Sequence, residues 1–334
     1  MDALKKWQVL VTLFAVSLLV GCGAASEEKV KKQLESKWAQ PEGYEVEAEM
    51  IVQSAETTAT YQIEVWHTKP DYYRVSVTDQ DPEKNQLIVR NKEGVFVVSP
   101  HLQKSYQFKS EWPLKHSQAY LIESLFRDIQ NDKEATFTEQ DKTYTFVTKT
   151  QTSHQQQLPQ QTIEIDKKSL LPTRVVIHAA DGQEKMELVF NKIELGKIHT
   201  AADYEVDPFE QAKDKTASAE LDNPEFETSY PVAQLPGVEL VEEEVVTTNA
   251  GKRVILHYSG DKSFTVIQEN ASPNALLPVF ASGDPAPLDF QLGAMDEHSM
   301  RWEKDGVAYF LASTQLTQQE MIEVAASMSA ASQK

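Results

Sequence analysis

The sequence predicts an α+β chain: a strongly curved antiparallel sheet with helices on one side, then a smaller α+β unit. Three observations predict it. From Tyr44 onward, apolar residues fall at every second position through a succession of segments, the period of half-buried strands. Two stretches keep a helical spacing instead, one before the strands and one among them. Beyond residue 210 sustained periodicity stops, and it resumes after residue 232.

The chain opens with Lys5 and Lys6 and an apolar run from Val9 to Val20. Those twelve residues would reach about 18 Å as a helix, against about 30 Å of hydrocarbon. The run is short for a membrane span and fits the core of a secretory signal. Cys22, the only cysteine, follows directly in Leu19-Val20-Gly21-Cys22. This stretch resembles the lipobox of bacterial lipoproteins, in which a small residue precedes the lipid-bearing cysteine. Only a thiol is nucleophilic enough to take up the diacylglyceryl group. The alternative is a plain cysteine in an ordinary signal peptide. The lipobox resemblance implies a signal peptide over 1–21 and a lipidated N-terminus with spacer over 22–28. The mature chain would hang from the outer face of the cell membrane by acyl chains on Cys22, N-acylation being left open. Stable anchoring takes two chains.

A net charge of −19 argues against nucleic acid as a partner. A single cysteine leaves no disulfide framework, so the fold rests on its core.

"EEKVKKQLESKWAQ" places Val30, Leu34 and Trp38 on one helical stripe, ended by Pro41 and Gly43. "YEVEAEMIV" then alternates Tyr44, Val46, Ala48, Met50 and Val52 with glutamates. "TYQIEVWHT" and "YYRVSV" repeat the pattern, and "QLIVRNKEGVFVVS" reads as two strands about a turn at Asn91–Gly94, with "SYQF" after it. A helix over "HSQAYLIESLFRDIQ" carries Tyr120, Leu121, Leu125 and Ile129, follows Pro113, and has Ser117 as its candidate cap. "YTFVTKT", "QTIEID", "LPTRVVIHA" and "QEKMELVFNKIEL" are further strands, the last two joined at Ala180-Asp181-Gly182.

"WHTKPDYYRV", "EGVFVVSPHLQKSY", "IEIDKKSLLPTRVVIHAADGQEKMELVFNKIEL" and "YEVDP" resemble, in order and spacing, the LolA/LolB lipoprotein-carrier family. The resemblance covers residues 27 to 210 and implies an incomplete antiparallel β-barrel closed by helices, with an apolar interior that holds acyl chains. Lys69 stands where such carriers have a basic residue ahead of the proline. A lipobox and a long C-terminal extension depart from the soluble single-domain carriers. The combination is similar to the sporulation-associated LolA-like lipoproteins of Gram-positive bacilli, which have no outer membrane to supply.

The organisation implied is a LolA-like domain over 29–210, a linker over 211–232 and a small α+β domain over 233–330. In the last, "VELVEEEVV", "RVILHYSG", "SFTVIQEN" and "GVAYFLAST" are strands. "LTQQEMIEVAASM" is a helix with Thr317 and Glu320 as a capping box and Leu316 with Met321 as the hydrophobic staple. "MRWEKDGVAYFLASTQLTQQEMIEVAASM" resembles a small domain on the outward-facing part of membrane-attached proteins of Gram-positive bacteria.

No catalytic or metal-binding pattern stands out. The eight histidines are scattered without ligand spacing, and no glycine loop or nucleophile elbow is present. The run "VEEEVV" places neighbouring carboxylates on opposite faces, as on a solvated edge rather than in an acid/base pair. The expectation is a protein that is not an enzyme and has no cofactor beyond the acyl groups. Two readings follow. In one, an apolar cavity lined by Tyr61, Ile63, Val65, Tyr73, Val75, Val89, Val97, Val175, Ile177, Leu188 and Phe190 binds a lipid or the acyl chains of a lipoprotein cargo. In the other, these residues fill an ordinary core, and the protein docks an envelope or sporulation protein.

Overall fold

The computed structural model describes residues 25–53, 58–82, 85–99, 104–108, 110, 112–113, 118–151, 158–206, 226–232, 235–248, 251–271, 279–281, 284–288, 291–304 and 306–330. The lipobox Leu19, Val20, Gly21 and Cys22, and most of the stretch read as a linker, lie outside them.

The alternating segments form one antiparallel sheet. Its strands are β1 (Gly43–Gln53), β2 (Thr58–Thr68), β3 (Tyr72–Thr78), β4 (Gln86–Asn91), β5 (Gly94–Ser99), β6 (Lys104–Phe108), β7 (Thr136–Glu139), β8 (Thr143–Lys149), β9 (Gln160–Asp166), β10 (Pro172–His178) and β11 (Glu184–Leu195). The order runs from β6 back to β1, then through β11 to β7. Register carries the alternation across the sheet: Val46, Ala48 and Met50 stand opposite Val65, Ile63 and Tyr61. Gly182 makes the predicted hairpin turn at φ +83°, where a Cβ would be strained, and its N–H donates to the Ala179 carbonyl at 2.9 Å.

Two helices cover the inward face. α1 (Glu27–Trp38) starts at Ser26, whose side chain accepts from the Lys29 N–H, and it buries Val30, Leu34 and Trp38. α2 (Ile122–Asn131) begins later than its apolar spacing suggests. Leu121 occupies its N-cap without a side-chain bond, and the candidate cap Ser117 lies outside the described residues. The buried residues of both helices join the inward residues of β1–β3, β8–β11 and parts of β4–β6 in one core. Each such Val, Leu or Ile stabilises by about 1.5–3 kcal/mol. A second, smaller core lies on the outer face, where Tyr204 of a 3₁₀ turn (Ala201–Tyr204) packs on Leu87, Val89, Phe96 and Val98.

The C-terminal part adds β12 (Ser229–Pro231), β13 (Val238–Thr248), β14 (Gly251–Gly260), β15 (Phe264–Asn270), β16 (Val279–Ala281), β17 (Asp284–Leu288), β18 (Gln291–Met295), β19 (Ser299–Lys304), β20 (Val307–Ala312) and β21 (Met328–Ala330). Seven of these form a sheet in the order β13-β14-β15-β20-β19-β18-β17, while β12 pairs with β21. Ser229–Pro231, inside the stretch read as linker, is therefore a strand. α3 (Gln318–Ala326) has the predicted Thr317–Glu320 capping box, with both reciprocal bonds present. Leu316 and Met321 are both buried in the core beneath it, as a staple requires.

The two parts share a seam. β16 leaves the C-terminal region and adds in parallel to β6, making the large sheet twelve-stranded. The Tyr106 hydroxyl donates to Glu303 at 2.5 Å beside it. The other end of the sheet, β7, does not pair with β16, so the sheet stays open rather than closing into a barrel.

Candidate functional site

The helix-covered face of the large sheet gathers ten of the eleven residues proposed to line a cavity. Val65, Val75, Val175 and Leu188 are fully buried, Ile63, Tyr73, Val97, Ile177 and Tyr61 nearly so, and Phe190 is partly buried against the same core. Val89 is a correction: it points to the outer face and packs with Leu87, Phe96 and Tyr204. The run Leu87-Ile88-Val89 is apolar at three successive positions, so alternation alone does not say which residue faces in. Pairing decides it. Ile88 stands opposite Val75, which faces in, whereas Val89 stands opposite Arg74.

The space these residues face is occupied. Val30 and Leu34 of α1 and Ile122, Leu125 and Ile129 of α2 are each fully buried against them. A side chain with no exposed surface has no water-sized gap beside it, so the face is a packed core at these positions rather than the wall of an open cleft. The groove of about 450 Å³ along the solvent side of α1, lined by Ser26, Lys29, Lys32 and Ser36 among others, lies away from it.

Polar contacts hold both helices at their ends. For α1, the Ala25 N–H donates to Glu139 at 2.6 Å just before the helix starts. At its other end, Lys69 donates to the carbonyls of Ala39 at 2.9 Å and Gln40 at 3.4 Å. A cation there complements the negative end of the helix. The Trp38 indole N–H donates to the Leu170 carbonyl at 2.6 Å. Leu170 itself sits at φ +54°, a conformation rare outside glycine.

For α2, Glu123 in the first turn reaches back to the sheet. The Tyr44 hydroxyl donates to its Oε2 at 2.6 Å, and its Oε1 lies 3.1 Å from His67 Nε2. The His67 Nδ1 faces the Tyr72 carbonyl at 2.9 Å. The ring thus lies between two groups that offer oxygen acceptors, the Glu123 carboxyl and the Tyr72 carbonyl. The ring is buried and stacks on Tyr73 at 4.3 Å between centroids. Burial first, then the negative charge of Glu123, pushes the Tyr44 and Tyr73 hydroxyls well above the usual phenol range. Both remain protonated, as Tyr44 must to donate to the Glu123 carboxylate. Further along α2, buried Asp128 accepts from the Gln161 side chain at 2.6 Å.

His67 was legible as part of this face, because it continues the inward series Tyr61, Ile63, Val65. Nothing in the local sequence marks Glu123 as its partner. Among the described residues no group of three His, Cys, Asp or Glu side chains is placed to hold a metal.

A family model described as "Sporulation protein YdcC-like" matches residues 4–195. The chain is 36% identical to "Sporulation protein YdcC" of Bacillus subtilis (strain 168) over 338 positions, which cover 99% of this chain and 98% of that one. Among solved structures, MucB is 14% identical with a TM-score of 0.36, covering 92% of this chain and 98% of its own. A LolA superfamily protein from Nitrosomonas europaea is 10% identical with a TM-score of 0.32, over 55% of this chain and 99% of its own. TM-scores of this size do not define a detailed common fold.

Proposed function

The chain belongs to the YdcC-like sporulation protein family, and from that premise we propose that it is a lipid-anchored, non-catalytic docking module acting in sporulation. Acyl chains on Cys22 hold it at the outer face of the cell membrane, and a protein partner binds its surface. The observation that supports docking over lipid transport is the filled inward face: Leu34, Leu125 and Ile129 already take the place that an acyl chain would need. Displacing them would expose several large apolar side chains, at about 25 cal/mol per Å².

A second reading keeps the family resemblance in full. The sheet and its two helices would form a half-barrel whose cover opens to admit a lipid or the acyl chains of a lipoprotein. The observation favouring it is that the polar ties sit at the helix ends, where Lys69 and Glu123 act as latches.

Native mass spectrometry of the protein extracted from its membrane separates these readings. The expected mass carries a covalent diacylglyceryl group on Cys22 and no non-covalent lipid. A retained non-covalent lipid would replace docking by transport, and an unmodified Cys22 would remove the anchor.

A further inference from the structure

The two large sheets have four edges, and three offer little to a further strand. β7 has four residues and β16, the outermost strand beyond β6, has three, and β17 contains Pro285 and Pro287, which deny backbone donors at alternate positions. β13 differs. It has eleven residues and no proline, and every position from Glu239 to Val245 is exposed. It pairs on one side only, with β14. After a bulge between Leu240 and Glu242 its register is regular to the end of the strand, so between Glu242 and Thr247 alternate N–H and C=O groups point away from β14 and meet no other strand among the described residues.

We propose that β13 binds an extended basic segment of a partner protein by strand addition, a proposal that rests on the docking reading above. Cross-strand register sorts its side chains. Val245 and Leu240 stand opposite Val254 and Tyr258 and so share the core face, while Glu242 and Glu244 stand opposite His257 and Ile255 on the other face; Glu243, opposite Leu256 on the core face, is already held by the Tyr230 hydroxyl at 2.9 Å. Of the five large hydrophobic side chains that are strongly exposed among the described residues, three lie on this strand: Leu240 at 39%, Val241 at 63% and Val245 at 58%. A strand laid about 4.8 Å away covers the first set with aliphatic residues and meets the second with Lys or Arg. The occupant thus alternates aliphatic and basic residues. A second copy of this chain fits badly, because antiparallel pairing of two such strands sets glutamate against glutamate, and each chain carries −19 overall. Charge and a bulge also guard edges against unwanted pairing. A guard has no use for exposed aliphatic residues, and on β17 the same sheet guards its other edge with proline.

The test uses the whole mature chain and a labelled nine-residue peptide alternating valine and lysine. Its control has the same composition with the valines and lysines in separate blocks. Fluorescence anisotropy is expected to show at least tenfold tighter binding of the alternating peptide, with amide exchange slowed over residues 242–248. The double variant E242K/E244K is expected to weaken binding at least tenfold while amide exchange in β1 stays unchanged, which reports an intact fold. Equal binding of the block peptide, or protection elsewhere, overturns strand addition. Failure of both peptides to bind at millimolar concentration also overturns it, and the docking reading then stands or falls on the mass measurement alone.

Discussion

β1 and β13 are strands of equal length and similar make-up, yet their surroundings are opposite. Each has eleven residues and several glutamates among aliphatic side chains. In β1 the glutamates are Glu45, Glu47 and Glu49, always on one face, and Val46, Ala48 and Met50 on the other are buried. In β13 they are Glu239, Glu242, Glu243 and Glu244, so they reach both faces, and Val245 is left 58% exposed. β1 is the middle of its sheet, between β2 and β11; β13 is an edge. A carboxylate on each face prevents a strand from being covered on either side. The placement of charge, rather than its amount, decides which strand becomes structural and which stays available.

The largest break in this comparison comes from the covered face. Leu125 is fully buried between α2 and the sheet, and Leu125→Ala is expected to cost about 2–5 kcal/mol. Denaturant unfolding monitored by amide exchange checks it, with the loss expected first in β1–β11. The same truncation at Val245 is expected to change stability by no more than about 0.5 kcal/mol.

Much of the large sheet was legible because its strands alternate cleanly. β7 was not, since "TFTE" is four residues long with only one aromatic. β16, β17 and β18 were not: β16 is three residues long, β18 is five with Gly293 and Ala294 at its centre, and β17 carries Pro285 and Pro287, which it tolerates as an edge strand. The helix cover was legible from Val30, Leu34, Leu125 and Ile129, but its latches were not. Tyr44 and Glu123 are 79 positions apart, and no local pattern joins them. The side on which Val89 faces depended on pairing with β3, which an apolar triplet cannot encode. The solvated character of "VEEEVV" was plain from the adjacent carboxylates; its being a free edge emerged only from strand order.

A middle-sized effect lies under the small sheet. Fully buried Gln268 accepts from the Ser229 N–H at 2.8 Å and donates to the Ser229 carbonyl at 2.7 Å. Gln268→Ala leaves both backbone groups of Ser229 without these partners, at a cost of about 1–3 kcal/mol. Faster amide exchange in β12 and β21, with β1 unchanged, is the expected signature. It would show that the small sheet is held to its β12–β21 ribbon by a polar joint where the large sheet uses an apolar one.

The smallest effect is a matter of pH and again separates the two regions. Hydrogen bonding from Lys167, then from the Ala25 N–H, holds the Glu139 carboxyl below the usual glutamate range. A carboxyl lowered in the folded state contributes stability that is present above its unfolded value, about 4.3, and is lost as pH falls through the folded value. Acidification should therefore loosen the start of α1, seen as faster exchange of the Ala25 amide than the intrinsic rate predicts. At α3, Glu320 is also lowered: burial works against it, but Lys262 and the N–H and hydroxyl of Thr317 outweigh that. Both helix starts should respond to acid in the native chain. Glu139→Gln separates them, because it removes the charge that titrates at α1 and leaves Glu320 untouched. In that variant the Ala25 amide is expected to exchange faster already at neutral pH and to show no further acid-dependent loosening, while α3 keeps its acid response. Retention of the native acid profile at Ala25 would mean that Lys167 and Glu139 do not hold α1 to the large sheet, and that its anchoring rests on Lys69, Trp38 and the apolar stripe.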